Sequence, residues 1–162
     1  MSNSEFVERY GGVYEHSPWV AERVSELVAG SADTEIIVRL MADCVDNASK
    51  ERRLALICAH PDLAGKAHVA GELTADSSEE QASAGLDQCT SDEYERLQEL
   101  NSSYRNKFGF PFVMAVRESD RVQILAAFEE RLGNDYSLEF ETALEEIHKI
   151  AQLRLRAMED GK

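Results

Sequence analysis

Apolar residues recur three and four positions apart along nearly the whole chain, the period of a helix that buries one face. The pattern predicts a short helix near Ser4 to Tyr10, broken by Gly11-Gly12. Ser17-Pro18 then opens a second helix, in cap-then-proline order, through Trp19, Val20, Val24, Leu27 and Val28 to Gly30. Asp33 or Thr34 caps a third through Ile36, Ile37, Leu40, Met41 and Val45, and Ser49 caps a fourth that ends at His60. Helices from about Ser77 to Cys89, Asp92 to Phe108, Asp120 to Leu132 and Leu138 to Met158 follow. Residues 61–76 lack periodicity and read as loop. Only Val113 to Val116 looks extended, and a lone strand has nothing to pair with. The expected fold is all-α: one domain over residues 1–162, a helical bundle of about seven to eight helices.

Four places bear on function: two break this pattern and two carry a second reading. On the last helix the apolar stripe runs Phe140, Leu144, Ile147, Ala151, Arg154, Met158, with a guanidinium where a core residue belongs. Arg154 must snorkel, pair with a carboxylate, or face a cavity that receives an anion. Asn101 is similarly out of place among Tyr94, Leu97, Tyr104 and Phe108, and is expected to tie a neighbouring backbone segment, with Gly109-Phe110-Pro111 as a candidate. Ser77 and Glu80, three apart at a helix start, carry the signature of a capping box. A helix start also offers backbone N–H groups to an anion or carbonyl, so a binding role stays open there. The fourth is His60, directly before Pro61, whose ring disfavours a helical His60. The imidazole either closes its helix or, at the negative end of the helix dipole, is poised for proton transfer.

Composition narrows the classes. The chain has 162 residues, 43% hydrophobic and 30% charged, the balance of a soluble globular protein, with no apolar run long enough to cross a bilayer. No secretory signal is visible at MSNSEFVERYGG and no peroxisomal tripeptide at Asp160-Gly161-Lys162, so a cytoplasmic location is expected. A formal charge of −14 without a basic patch argues against nucleic acid. Cys44, Cys58 and Cys89 are odd in number, lack CxxC spacing and read as buried, reduced thiols. The four histidines form no metal-ligand spacing, and no GxGxxG, P-loop or GxSxG occurs, so no metal or organic cofactor is expected.

Five blocks carry a resemblance: FVERYGGVYEHSPWVAERV at 6–24, HPDLAGK at 60–66, LTADSSEEQASAGLD at 73–87, LNSSYRNKFGFPFVMAVR at 100–117 and EIHKIAQLRL at 146–155. In that order they resemble the 2-oxo-4-hydroxy-4-carboxy-5-ureidoimidazoline (OHCU) decarboxylases, which yield (S)-allantoin in urate breakdown. The resemblance implies an all-helical fold, a reaction without metal or organic cofactor, and a homodimer. It implies a small-molecule partner, OHCU, while the charge and the lack of a long apolar run leave neither nucleic acid nor membrane expected. Carried over, it makes His60 the catalytic histidine and Glu80 its acidic companion. It places Pro61, Ser77, Glu80, Gln81, Phe112, Val113, Val116 and Arg154 around the substrate. The rival expectation is a non-catalytic acidic helical module that recruits a protein partner, in which His60 only ends a helix.

Overall fold

The first N–H groups of a helix have no partner within it, and at most helix starts here an oxygen-bearing side chain accepts one. The computed structural model describes residues 2–28, 33–64, 73–117 and 119–160, and among them are eight α-helices, one 3₁₀ turn and no strand. Helix α1 (Asn3–Tyr10) begins in a capping box between Ser2 and Glu5. Helix α2 (Trp19–Leu27) has no side-chain cap: the Ser17 hydroxyl, expected to cap it, donates to the Glu15 carbonyl instead. The helix stops at Leu27, with Val28 in extended backbone, short of the expected run through Val28 to Gly30; Gly30 itself lies outside the described residues. Asp33 caps α3 (Thr34–Asp46) and Ser49 caps α4 (Lys50–Cys58), which ends two residues short of His60.

Helix α5 (Ala75–Ser83) starts earlier than predicted because Thr74, not Ser77, is its cap: Thr74 Oγ1 accepts from the Ser77 N–H at 3.2 Å. It ends at Ser83. Gly85, at φ 79°, then turns the chain into the 3₁₀ turn Leu86–Gln88, where a helix to Cys89 was expected. Capping boxes open α6 (Ser91–Phe108) at Thr90 and Glu93 and α7 (Arg121–Leu132) at Asp120 and Gln123. Gly109, also left-handed, closes α6, and α8 spans Tyr136–Asp160.

These elements fall into two units, Met1–Ala59 with Ile147–Lys162, and His60–Glu146. In the first, α1 packs on α2 and α2 on α3, burying Val20, Val24, Ile37, Met41 and Val45. The same unit holds a short polar chain: the Tyr14 hydroxyl meets His148 Nδ1 at 2.8 Å, and His148 Nε2 meets Asp46 at 2.9 Å.

In the second unit α6 packs on α7 around an aromatic cluster centred on fully buried Tyr104, with Phe108, Phe110, Phe112 and Phe128 within 5.9 Å between ring centroids. The segment Val113–Val116 forms no strand. Side chains hold its backbone instead: Arg131 Nη1 donates to the Val113 carbonyl at 2.7 Å, and the Ala115 N–H donates to Glu146 at 3.1 Å.

The cysteines form no disulfide, but the expectation of buried thiols fails. Cys58 is exposed, while Cys44 and Cys89 are half-buried with thiol pKa values pushed up chiefly by burial. Among the described residues no helix is long and apolar enough to cross a membrane.

Candidate functional site

His60 follows the last residue of α4's cap and is only 6% exposed, with half-buried Pro61 beside it. The three residues that follow are pinned by side chains from two helices. Gln81 on α5 accepts the Ala64 N–H at 3.0 Å and donates to the Asp62 carbonyl at 3.3 Å. From α6, Asn101 donates to the Leu63 carbonyl at 3.0 Å, Gln98 donates to the Ala64 carbonyl at 2.7 Å, and Arg105 pairs with the Asp62 carboxylate at 3.0 Å. The restraint has a local cause. Ala64 sits at φ 50°, a left-handed conformation that costs a non-glycine residue about 1–2 kcal/mol and persists only where the surroundings impose it. Gly65 and Lys66, the end of the HPDLAGK block, lie outside the described residues.

Ser77, Glu80 and Gln81 share one face of α5 at spacings of three and four, and all three are buried. The capping-box reading of Ser77 and Glu80 is therefore overturned: Thr74 does the capping and leaves both side chains to the interior. Gln81 joins this face directly to the His60 loop.

Phe112, Val113 and Val116 are buried as well. The Phe112 ring stacks on Phe128 at 3.9 Å, and the Arg131 guanidinium lies 4.3 Å from its centre. Arg131 also grips Glu139 through Nε and Nη2 at 2.9–3.2 Å, and the same carboxylate accepts from the Tyr104 hydroxyl at 2.5 Å and from Asn134 at 2.9 Å. Burial, reinforced by the bond to Glu139, holds the Tyr104 hydroxyl far above the usual tyrosine range. Four donor atoms thus satisfy a carboxylate that has no contact with solvent, as a buried charge requires.

Arg154 belongs to the first unit and is 4% exposed. Of the roles its position leaves open, carboxylate pairing is realised: it meets Glu15 at 3.2 Å and donates to the Gly12 and Val13 carbonyls at 3.3 Å each. The second unit holds the other eight predicted residues. A cleft of about 570 Å³ borders Ala64 but includes none of the predicted residues, and Asp87 and Glu95 in its wall make it unsuited to an anion. Among the described residues no group of three or more His, Cys, Asp or Glu is arranged to hold a metal.

Sequence reasoning missed Arg131, Glu139 and Gln98, and it aimed Asn101 at the wrong segment: its partner is Leu63, not the Gly109 turn. A signal for Arg131 existed. It completes the stripe Ile124, Phe128, Arg131 at spacings of four and three, the same anomaly that marks Arg154.

Fold and site define the class: an all-helical protein that buries an imidazole, a hydroxyl and a carboxyl group within one unit, groups suited to moving a proton. The chain belongs to the OHCU decarboxylase family, whose family model matches residues 1–156. A 2-oxo-4-hydroxy-4-carboxy-5-ureidoimidazoline decarboxylase of Haloferax volcanii is 46% identical over 155 residues, spanning 96% of this chain and 89% of that protein. A crystal structure of (S)-allantoin synthase matches with a TM-score of 0.76 at 34% identity, covering 97% of this chain and 50% of that one. A crystal structure of OHCU decarboxylase in the presence of (S)-allantoin shares the fold, with a TM-score of 0.75 at 24% identity over 93% of this chain and 96% of that one.

Proposed function

We infer that this chain is a carboxy-lyase that decarboxylates OHCU to (S)-allantoin in urate breakdown. The observation that carries this reading is the family match over residues 1–156, and the burial of His60, Ser77 and Glu80 in one unit supports it.

The substrate carries a carboxylate and a hydroxyl on one ring carbon, beside an imine-like carbon that bears the ureido arm. When the bond to the carboxylate breaks and CO₂ leaves, its electron pair forms a C=C bond. The C=N pair moves onto nitrogen, which takes up a proton. The enol hydroxyl then loses its proton as the ureido-bearing carbon gains one, and the face protonated sets the (S) configuration. Because the ring supplies its own electron sink, the protein's task is to hold the ring and place that proton.

His60 exchanges the protons in this reading, with Glu80 orienting the imidazole or holding the ring. Ser77 is assigned to the substrate together with the N–H groups at the start of its helix, its own N–H being occupied by Thr74. Gln81, Phe112, Val113 and Val116 frame the substrate, the last three through main chain, and Pro61 and Phe112 limit water. Arg154 is assigned to the oxygens of the anionic substrate. The whole chain, residues 1–162, is read as the catalytic domain, working as a cytoplasmic homodimer.

The test is to generate OHCU in situ from urate with the upstream enzymes and follow optical activity with and without this protein. The expected result is a fast rise of one enantiomer of allantoin. An unchanged rate with racemic product would overturn the assignment.

A further inference from the structure

We propose that Gln98 and Asn101 are positioning residues for His60, acting through the backbone of residues 62–64; the proposal rests on His60 being the proton-transferring group inferred above. Gln98, Asn101 and Arg105 stand three and four apart on α6 and so share one face, and all three engage this short stretch. The carbonyls of Asp62, Leu63 and Ala64 accept in succession from the amides of Gln81, Asn101 and Gln98. The Ala64 N–H is taken by Gln81 as well, so a residue in a left-handed conformation is held at both its backbone ends.

The amide at Asn101 carries a cost that points the same way. It is 5% exposed and, among the described residues, its Oδ1 has no hydrogen-bond partner. An apolar side chain on this buried stripe would avoid that unmet acceptor, but it would leave the Leu63 carbonyl without the Asn101 donor.

The link from the anchored stretch to the imidazole is short and stiff. Pro61 has its φ locked by its ring, and a residue before proline is confined to extended backbone, so few soft torsions separate the Asp62 carbonyl from the His60 Cα. Releasing residues 62–64 therefore lets the imidazole wander, and misplacement of a reacting group by about 1 Å lowers a rate by up to about a hundredfold.

Gln98→Met keeps the length of the side chain and removes its donor, and Asn101→Leu does the same near constant volume. Each is expected to lower kcat on OHCU about tenfold or more, with KM within about twofold. Each is also expected to shift the NMR titration of the His60 ring signal, a readout that needs no substrate. The double variant should lose less than the product of the single losses, because both residues act through one loop. Unchanged kcat and unchanged His60 titration in a folded Gln98→Met protein would overturn the proposal, even if its melting temperature fell. Should Asn101→Leu fail to fold, half-buried Gln98 decides the matter by itself. If the wild type does not accelerate decarboxylation, the functional reading fails; the NMR titration still tests the clamp.

Discussion

A single imidazole is the residue on which the proposed chemistry turns, because histidine exchanges protons near neutral pH at little cost. Replacing His60 with Asn keeps a polar side chain of similar reach but removes the exchangeable ring proton. We expect kcat to fall about 10²–10⁴-fold with the far-ultraviolet circular dichroism of the helices unchanged. Decarboxylation kept at the wild-type rate and stereochemistry would remove His60 from the mechanism. Arg154 poses a different residue-level question, since its guanidinium already serves Glu15 and two carbonyls. A lysine retains the charge but not the planar fork, so Arg154→Lys should raise KM for OHCU more than it lowers kcat. An unchanged KM accompanied by a lower melting temperature would give Arg154 a structural role, as a partner of Glu15 and of the Gly12 and Val13 carbonyls. His60, Glu80 and Arg154 were all legible as residues, through an imidazole before proline, a serine–glutamate spacing and a charge on an apolar stripe. What each touches was not.

At the scale of elements, α6, α7 and α8 meet through charge as well as through aromatic rings. Glu139 on α8 binds Arg131 on α7 and Tyr104 on α6, and Arg131 extends the network to the Val113 carbonyl. Removing one partner of a buried ion pair strands the other, so Glu139→Ala should cost about 3–5 kcal/mol in urea unfolding. A loss below about 1 kcal/mol would show that Arg131 finds solvent or another acceptor. The helices themselves were legible because caps and periodicity are local: Asp33, Ser49, Thr90 and Asp120 sit at helix starts. The start of α5 misled because Thr74 and Ser77, three residues apart, are both competent caps. Burial of Ser77 and Glu80 separates the two readings, and burial is not a local property. The segment after Gly109 misled for a related reason: Val113 to Val116 has strand-like residues, but its backbone partners are the side chains of Arg131 and Glu146 rather than another strand.

Across the whole molecule, each unit buries one tyrosine hydroxyl against a polar partner. Burial is the main cause of the raised pKa at both: Asp46 and Cys44 add to it at Tyr14, and the bond to Glu139 adds to it at Tyr104. In the unfolded chain both would ionise near pH 10, so their contribution to stability is complete below that pH and is lost as pH rises above it. The unfolding free energy from urea titrations should hold up to about pH 10 and then fall, by up to about 1.4 kcal/mol per pH unit for each tyrosine. Tyr14→Phe or Tyr104→Phe should make that fall shallower, and an unchanged slope in both would mean that neither hydroxyl stays protonated in the folded protein. The charge of −14 and the helical class were readable from the sequence because they depend on totals and on short-range periodicity. The resemblance to the family was readable because it lies in contiguous blocks such as HPDLAGK. Only the tertiary structure decided that Asn101 and Gln98 meet Leu63 and Ala64, that Arg131 finds Glu139, and that Arg154 finds Glu15. Several of these pairs are far apart along the chain, and each buried polar group takes whichever partner the packing of whole helices brings within about 3 Å, a selection that spacing along a single helix does not specify.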